Sequence, residues 1–364
     1  MKQQEKLPKI RRGLLVWYRR HARDLPWRRT KDAYSIWVSE IMLQQTRVTA
    51  VQPYYERFVK RFPTVEKLAR AKLDSVLKMW EGLGYYSRAR NLHKAAQVIV
   101  TEYQGQLPET VEQLRTLPGI GRYTAGAIAS IAFGLKEPVL DGNVTRVLCR
   151  VLRIRENPQQ SKVQKKLWKT AQQIIARGNA GTLNQALMEL GAMICLPKQP
   201  RCEECPLGKL CLARKFDEQD KLPLRREKKT LPHYKVAVGI VRKGGWILID
   251  QRRPNGMLGG MWEFPGGKQK RNESLKNTVT REIREELGVR VKTGEKLAEV
   301  EHGYSHFRVT LHAFDCRYVS GEPQAIGCAA WKWVRAKDLQ RYAFPRGSRK
   351  IIEAIMKNGK LQIR

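Results

Sequence analysis

The chain has 364 residues, with 70 Lys+Arg against 34 Asp+Glu and a formal net charge of +36. Its 42% hydrophobic and 8% aromatic content can fill two or three domain cores, which excludes wholesale disorder and fibrous or collagenous architectures. So large a basic excess repels itself without a polyanionic partner, and nucleic acid is the first candidate, ahead of a membrane surface.

The first thirteen residues are polar and basic with no apolar signal core, and the longest apolar run, around Ala125 to Leu135, is too short to cross a bilayer. An intracellular protein is expected. From Ile10 to about Leu212 apolar residues recur at three and four positions, which predicts a helical half. Residues 214–232 hold few apolar side chains and two prolines and read as an exposed linker. Beyond it Val236 to Val241, Trp246 to Ile249 and Arg308 to Phe314 read as strands, with one helix from Ser274 to Leu287, so this half is α+β.

Helical spacing over Tyr34 to Thr46 sets Ile36, Glu40 and Leu43 along one mainly apolar side. Burial there would raise the carboxyl pKa and make Glu40 a general acid; a capped or hydrated surface glutamate is the equally good bland alternative. Leu117-Pro-Gly-Ile-Gly-Arg-Tyr-Thr124 places Pro118, Gly119 and Gly121 in a tight turn between Glu109 to Thr116 and a helix starting near Arg122, a helix-hairpin-helix. Its glycines let backbone N–H groups approach a DNA phosphate at a helix start. In Val139-Leu-Asp-Gly-Asn-Val144 the spacing alone fits Asp141 best as an N-cap.

Seven cysteines are an odd number, and four of them, Cys195, Cys202, Cys205 and Cys211, follow a C-x6-C-x2-C-x5-C spacing. This fits reduced thiols around a metal rather than disulfides, and four thiolates by themselves leave zinc and iron–sulfur open.

Helix-hairpin-helix, downstream aspartate and four cysteines together resemble the endonuclease III superfamily of base-excision DNA glycosylases. More closely, Leu25-Pro-Trp-Arg28, Ser39-Glu-Ile-Met-Leu-Gln-Gln-Thr46, Glu81-Gly-Leu-Gly-Tyr-Tyr-Ser-Arg88 and Asp141-Gly-Asn-Val144 are similar to the MutY-type adenine DNA glycosylases. The resemblance implies that Glu40 protonates adenine N7 and that Asp141 stabilises the cationic sugar, with Tyr123 and Asn143 positioning them. Two carboxyls whose environments push their pKa values apart suit such chemistry. The bifunctional relatives carry a lysine after the hairpin that forms a Schiff base; here Tyr123 takes that position, which implies a monofunctional enzyme.

Adenine must be flipped out of the duplex to be reached. The resemblance assigns the wedge to Gln45 and Tyr85 and the adenine pocket to Trp27, Arg28 and Leu43, while core packing of Trp27 and Leu43 and phosphate binding by Arg28 are the plainer readings. It moves the four cysteines to a [4Fe-4S] cluster with a structural and DNA-contacting role.

Gly267-x5-Glu273-x7-Arg281-Glu282-Ile283-Arg284-Glu285-Glu286-Leu287-Gly288-Val289 completes the Nudix-box pattern. Glu282, Glu285 and Glu286 could present oxygen ligands to Mg²⁺, or form a solvated face paired with Arg281 and Arg284. Family members generally carry a degraded box and use this domain to recognise 8-oxoguanine. His302-Gly-Tyr-Ser-His-Phe307 resembles their Phe-Ser-His loop, which points to Tyr304, Ser305 and His306.

The expected architecture is multidomain: an all-α helix-hairpin-helix glycosylase domain (1–213) with its iron–sulfur loop (195–211), a linker (214–232) and an α+β Nudix-like lesion-recognition domain (233–364). The expected protein is a bacterial-type, cytoplasmic, nucleoid-associated monomer with no membrane partner. Its expected substrate is duplex DNA containing adenine opposite 8-oxoguanine or guanine.

Overall fold

The three-and-four spacing of the N-terminal half folds into helices, and the strand-rich runs of the C-terminal half into one sheet. The computed structural model describes residues 3–224, 230–304 and 306–359, so 225–229 of the expected linker and Ser305 of the expected lesion loop lie outside it. The helices of the first half are α1 (Gln3–His21), α2 (Ala33–Leu43), α3 (Val48–Arg61), α4 (Val65–Ala69), α5 (Leu73–Trp80), α6 (Ser87–Glu102), α7 (Val111–Leu114), α8 (Arg122–Ile131), α9 (Gly142–Leu152), α10 (Ser161–Ile175), α11 (Ala180–Met193) and α12 (Leu212–Lys215). Two compact units form, Met1–Ala69 with Lys94–Lys228, and Arg70–His93 with Lys229–Arg364.

In the first unit the core gathers Ile10 and Leu14 of α1, Val147 and Val151 of α9, Leu167 and Ile174 of α10, and Leu187 and Leu190 of α11. Helix α2 is capped by Asp32, whose side chain accepts the Ser35 N–H. Tyr34 and Ile36 to Met42 are buried, so α2 is enclosed on more than the one side that the spacing picks out. The hairpin forms as expected between α7 and α8. Gly119 at φ 80° takes the left-handed conformation that favours glycine, and Gly121 is the N-cap of α8.

The second unit holds a seven-stranded mixed sheet of β1 (His233–Lys243), β2 (Trp246–Gln251), β3 (Trp262–Glu263), β4 (Gly266–Lys268), β5 (Arg290–Gly303), β6 (Arg308–Ser320) and β7 (Ala330–Val334). Its main order is β3-β2-β1-β6-β5 with β1 and β6 parallel, while β4 pairs with β1 and β7 with β2. Alternation along β1 sends Val238 and Ile240 to one face and Ala237 and Val241 to the other. Helix α14 (Arg346–Lys357) covers the first face through Ile351, Ile352 and Ile355, and α13 (Leu275–Leu287) the second through Val279, Ile283 and Leu287.

The segment 70–93 belongs to this sheet unit, although in sequence it lies inside the helical half. Specific bonds hold it there: Glu81 accepts from Arg349 Nε at 2.9 Å and from the Phe344 N–H at 3.1 Å, Gln251 donates to Asp74 at 2.8 Å, and Arg90 donates to the Gly259 carbonyl at 2.9 Å. No helix among the described residues is long and apolar enough to cross a membrane.

Candidate active site

Glu40 lies on α2 with only 5% of its surface exposed. The Tyr123 Oη, from the first turn of α8, donates to its Oε2 at 2.8 Å. Burial pushes the Glu40 carboxyl up to about 7; the Asp141 charge adds to the rise, while the Tyr123 hydrogen bond and the Arg28 charge oppose it. The acid read from the sequence is therefore buried and titrates near neutrality. Burial, with the two carboxyls beside it, also holds the Tyr123 phenol well above its ordinary range.

Asp141 is the N-cap of α9. Its Oδ1 accepts the Val144 N–H at 2.7 Å and its Oδ2 accepts Asn143 Nδ2 at 2.9 Å. Here the structure departs from expectation: burial raises Asp141 as well, and the N–H donors and Arg146 only partly counter it. The two carboxyls are told apart by their donors. Glu40 receives one hydroxyl, whereas Asp141 receives two N–H groups beside a guanidinium, so the donors around Asp141 favour its charged form more than the hydroxyl at Glu40 does.

Arg146 was not among the expected residues. Its Nη2 donates to Asn143 Oδ1 at 2.8 Å and to the Gly191 carbonyl at 2.7 Å, and its Nε to the Cys195 carbonyl at 2.7 Å. Asp141, Asn143, Arg146 and the first cysteine thus form one hydrogen-bonded chain. Gly191 is required for it, because a Cβ there would lie 2.5 Å from that of Asn143.

Arg28 faces a partner that the sequence did not disclose. Glu189, 1% exposed, accepts Arg28 Nη1 at 3.0 Å and Nη2 at 2.8 Å, and Arg23 Nε and Nη2 at 2.8 and 2.7 Å. Burial alone would raise this carboxyl, but the two arginines outweigh it and hold it at about 2. Trp27 is buried edge-on against Tyr55, with ring centroids 5.1 Å apart, and Leu43 is half-buried at the end of α2.

Gln45 and Tyr85 are both exposed, and each takes a left-handed backbone, at φ 57° and 48°. Non-glycine residues rarely hold this conformation unless the surroundings impose it, so each side chain is projected from a constrained turn.

Cys195, Cys202, Cys205 and Cys211 are free thiols lining one cavity, with Arg150 and Arg214 in its wall. Among the described residues no three His, Cys, Asp or Glu side chains converge on a single-ion position. The four thiols on one cavity are a donor set that fits a thiolate-bound metal group. Arg150 Nη1 lies 3.3 Å from Cys195 Sγ, a cation beside thiols that must ionise to bind metal.

In the sheet unit, Tyr304 packs edge-on to His302 at 4.6 Å and tilted against Phe307 at 4.9 Å, while His306 is exposed. The Nudix-box acids are already engaged: Arg281 binds Glu273, Glu282 and Glu285 at 2.7, 2.8 and 2.9 Å. Burial pushes Glu286 up to about 7. Arg281 thus pairs with two of the three carboxylates that could receive Mg²⁺, Glu282 and Glu285, while Glu286 accepts the Gly266 N–H.

The family model described as "HhH-GPD superfamily base excision DNA repair protein" matches residues 38–173, and the NUDIX domain model residues 236–354. Adenine DNA glycosylase of Homo sapiens is 36% identical over 398 residues, covering 94% of this chain and 73% of that protein. The adenine DNA glycosylase of Buchnera aphidicola subsp. Acyrthosiphon pisum (strain APS) is 36% identical over 357 residues, covering 95% and 97%. The chain belongs to the adenine DNA glycosylases. These enzymes hydrolyse an N-glycosidic bond in base excision repair, so DNA is the polyanion that the net charge of +36 anticipates. The structure of a thermostable thymine-DNA glycosylase, 29% identical with a TM-score of 0.53, covers 58% of this chain and 98% of its own. An endonuclease III in a non-covalent DNA complex, 23% identical with a TM-score of 0.52, shares the helical fold.

Proposed function

We propose that this adenine DNA glycosylase removes adenine opposite 8-oxoguanine or guanine from duplex DNA, without a lyase step. The observation that carries the reading is the buried Glu40, hydrogen-bonded to Tyr123 at 2.8 Å at the position where a lyase needs an amine. Neutral Glu40 gives its proton to N7 of the extruded adenine, turning the base into a better leaving group. Asp141, kept anionic by Val144 N–H, Asn143 and Arg146, offsets the positive charge that builds on the deoxyribose. A phenol cannot form an imine with the opened sugar, so the product is an intact strand with an abasic site.

Gln45 and Tyr85 enter the base stack, Trp27, Arg28 and Leu43 border the adenine, and Gly119 and Gly121 bring backbone N–H groups to a phosphate. Arg28 does so as part of the Glu189 pair, which fixes its guanidinium. Tyr304, Ser305 and His306 read the opposite base, with Tyr304 packed against His302 and Phe307 and His306 exposed. Cys195, Cys202, Cys205 and Cys211 would hold a [4Fe-4S] cluster, which when bound supplies a rigid cross-link of the loop. Through Arg146 that loop also anchors Asn143, and so Asp141. The enzyme acts as a monomer.

The test is strand breakage on duplexes with adenine opposite 8-oxoguanine, guanine or thymine, with and without alkali. Breaks at the adenine that need alkali and are fastest opposite 8-oxoguanine are expected. Equal breakage without alkali, or no preference over thymine, overturns the reading.

A further inference from the structure

The Tyr123 hydroxyl has one hydrogen and two acceptors. Glu40 Oε2 lies 2.8 Å away and Met188 Sδ, on α11, lies 3.1 Å away. A thioether is a weak acceptor and a carboxylate a strong one, whereas a neutral carboxyl can donate its own O–H to the phenol oxygen and leave the phenol hydrogen for the thioether. The phenol can therefore turn its hydrogen according to the charge of its neighbour.

We propose that Met188 is a positioning residue for the proton donor: its sulfur takes the Tyr123 hydrogen while Glu40 is neutral and releases it when Glu40 becomes a carboxylate. While Tyr123 donates to Met188, its oxygen lone pairs are free to accept from the Glu40 carboxylic acid, which favours the protonated form. Once the proton has gone to adenine, the hydroxyl turns to Glu40 Oε2 and stabilises the carboxylate left behind. No bond other than the Glu40 O–H is broken and no further reactant is needed. The rotor would spare the buried acid from being ionised by a donor locked onto it before substrate arrives.

The charged and titratable groups facing this pair are Arg28 before α2, Tyr123 on α8 and Asp141 at the start of α9; α11 contributes the uncharged Met188 and the Glu189 carboxylate bound to Arg28. The thioether is an acceptor whose capacity does not itself depend on pH.

The inference rests on Glu40 as the acid, and the experiment separates the two. Single-turnover base excision from a duplex with adenine opposite 8-oxoguanine is followed from pH 5 to 9 for the full chain, Met188→Leu, Met188→Gln and Glu40→Gln. Met188→Leu keeps the volume and removes the acceptor, so the alkaline limb should move to lower pH by about half a unit. Met188→Gln returns an acceptor and should bring the limb back. In a Tyr123→Phe background Met188→Leu should shift nothing. Infrared difference titration of the protonated carboxyl band that Glu40→Gln removes should show the same shift without substrate, and is readable even where a variant turns over slowly. An unmoved limb and band in Met188→Leu, with Glu40→Gln inactive, overturns the rotor alone. Full activity of Glu40→Gln overturns the acid reading beneath it.

Discussion

The Tyr123 hydroxyl lies 2.8 Å from the Glu40 carboxyl, so the residue proposed to stand where a lyase carries its amine meets the proposed proton donor instead. Reduction with borohydride during turnover on adenine-containing duplex should trap no covalent protein–DNA adduct. An efficient adduct, seen as a shifted band on a denaturing gel, would show that another amine attacks the sugar.

Glu40→Gln keeps the shape of the side chain and removes the transferable proton. Single-turnover excision should fall by about 10²–10⁴-fold, the usual contribution of a positioned acid, while DNA affinity measured by gel shift stays within a fewfold. Loss of affinity parallel to loss of rate would instead mark Glu40 as a binding group.

Glu40 must be neutral to act, and burial raises it to about 7, so excision should decline above neutral pH with a one-proton slope. The same shift sets a stability trend. A carboxyl whose folded pKa exceeds its unfolded value stabilises the fold at low pH and loses that contribution as pH rises between the two. Glu40→Gln should therefore match the parent in urea denaturation near pH 4.5 and exceed it by about 1–3 kcal/mol near pH 8.

Glu189 behaves in the opposite sense. Arg23 and Arg28 hold it at about 2, so its stabilisation is present above the ordinary glutamate pKa and is lost as pH falls toward 2. Glu189→Gln leaves two arginines short of their partner and should cost about 3–5 kcal/mol near neutral pH, as for a broken buried pair. Chemical denaturation at two pH values checks both statements, the deficit shrinking in acid.

Loss of the proposed [4Fe-4S] cluster should reach Asp141 through Arg146. Replacing Cys205 with Ser should abolish the visible absorbance of thiolate-bound iron. Thermal stability of the first unit should fall together with excision. Retained absorbance, or zinc in place of iron by elemental analysis, would contradict the cluster assignment.

Much of this site was legible because the informative features are local. The three-and-four spacing gave the helices, Pro118 with Gly119 and Gly121 gave the hairpin, and Asp141 ahead of Asn143 and Val144 gave an N-cap that the structure forms. Features that depend on distant partners were not legible. Glu189 meets Arg23 and Arg28 across more than 160 positions of sequence, and nothing near any of the three announces the pairing. Met188 and Arg146 are silent for the same reason. Strand β5 escaped notice because most of its residues are half-buried or exposed, which leaves little apolar alternation to read. Segment 70–93 is helical in pattern, yet Glu81 commits it to Arg349 and Phe344 in the sheet unit.

In the proposed reaction the proton goes from Glu40 to N7 of the base, and 7-deaza-adenine tests this by replacing that nitrogen with C–H while leaving the pairing edge intact. Excision from a duplex carrying 7-deaza-adenine opposite 8-oxoguanine should be undetectable under conditions where adenine is removed to completion, although the duplex still binds. Release of 7-deaza-adenine at a rate near that of adenine would contradict the claim.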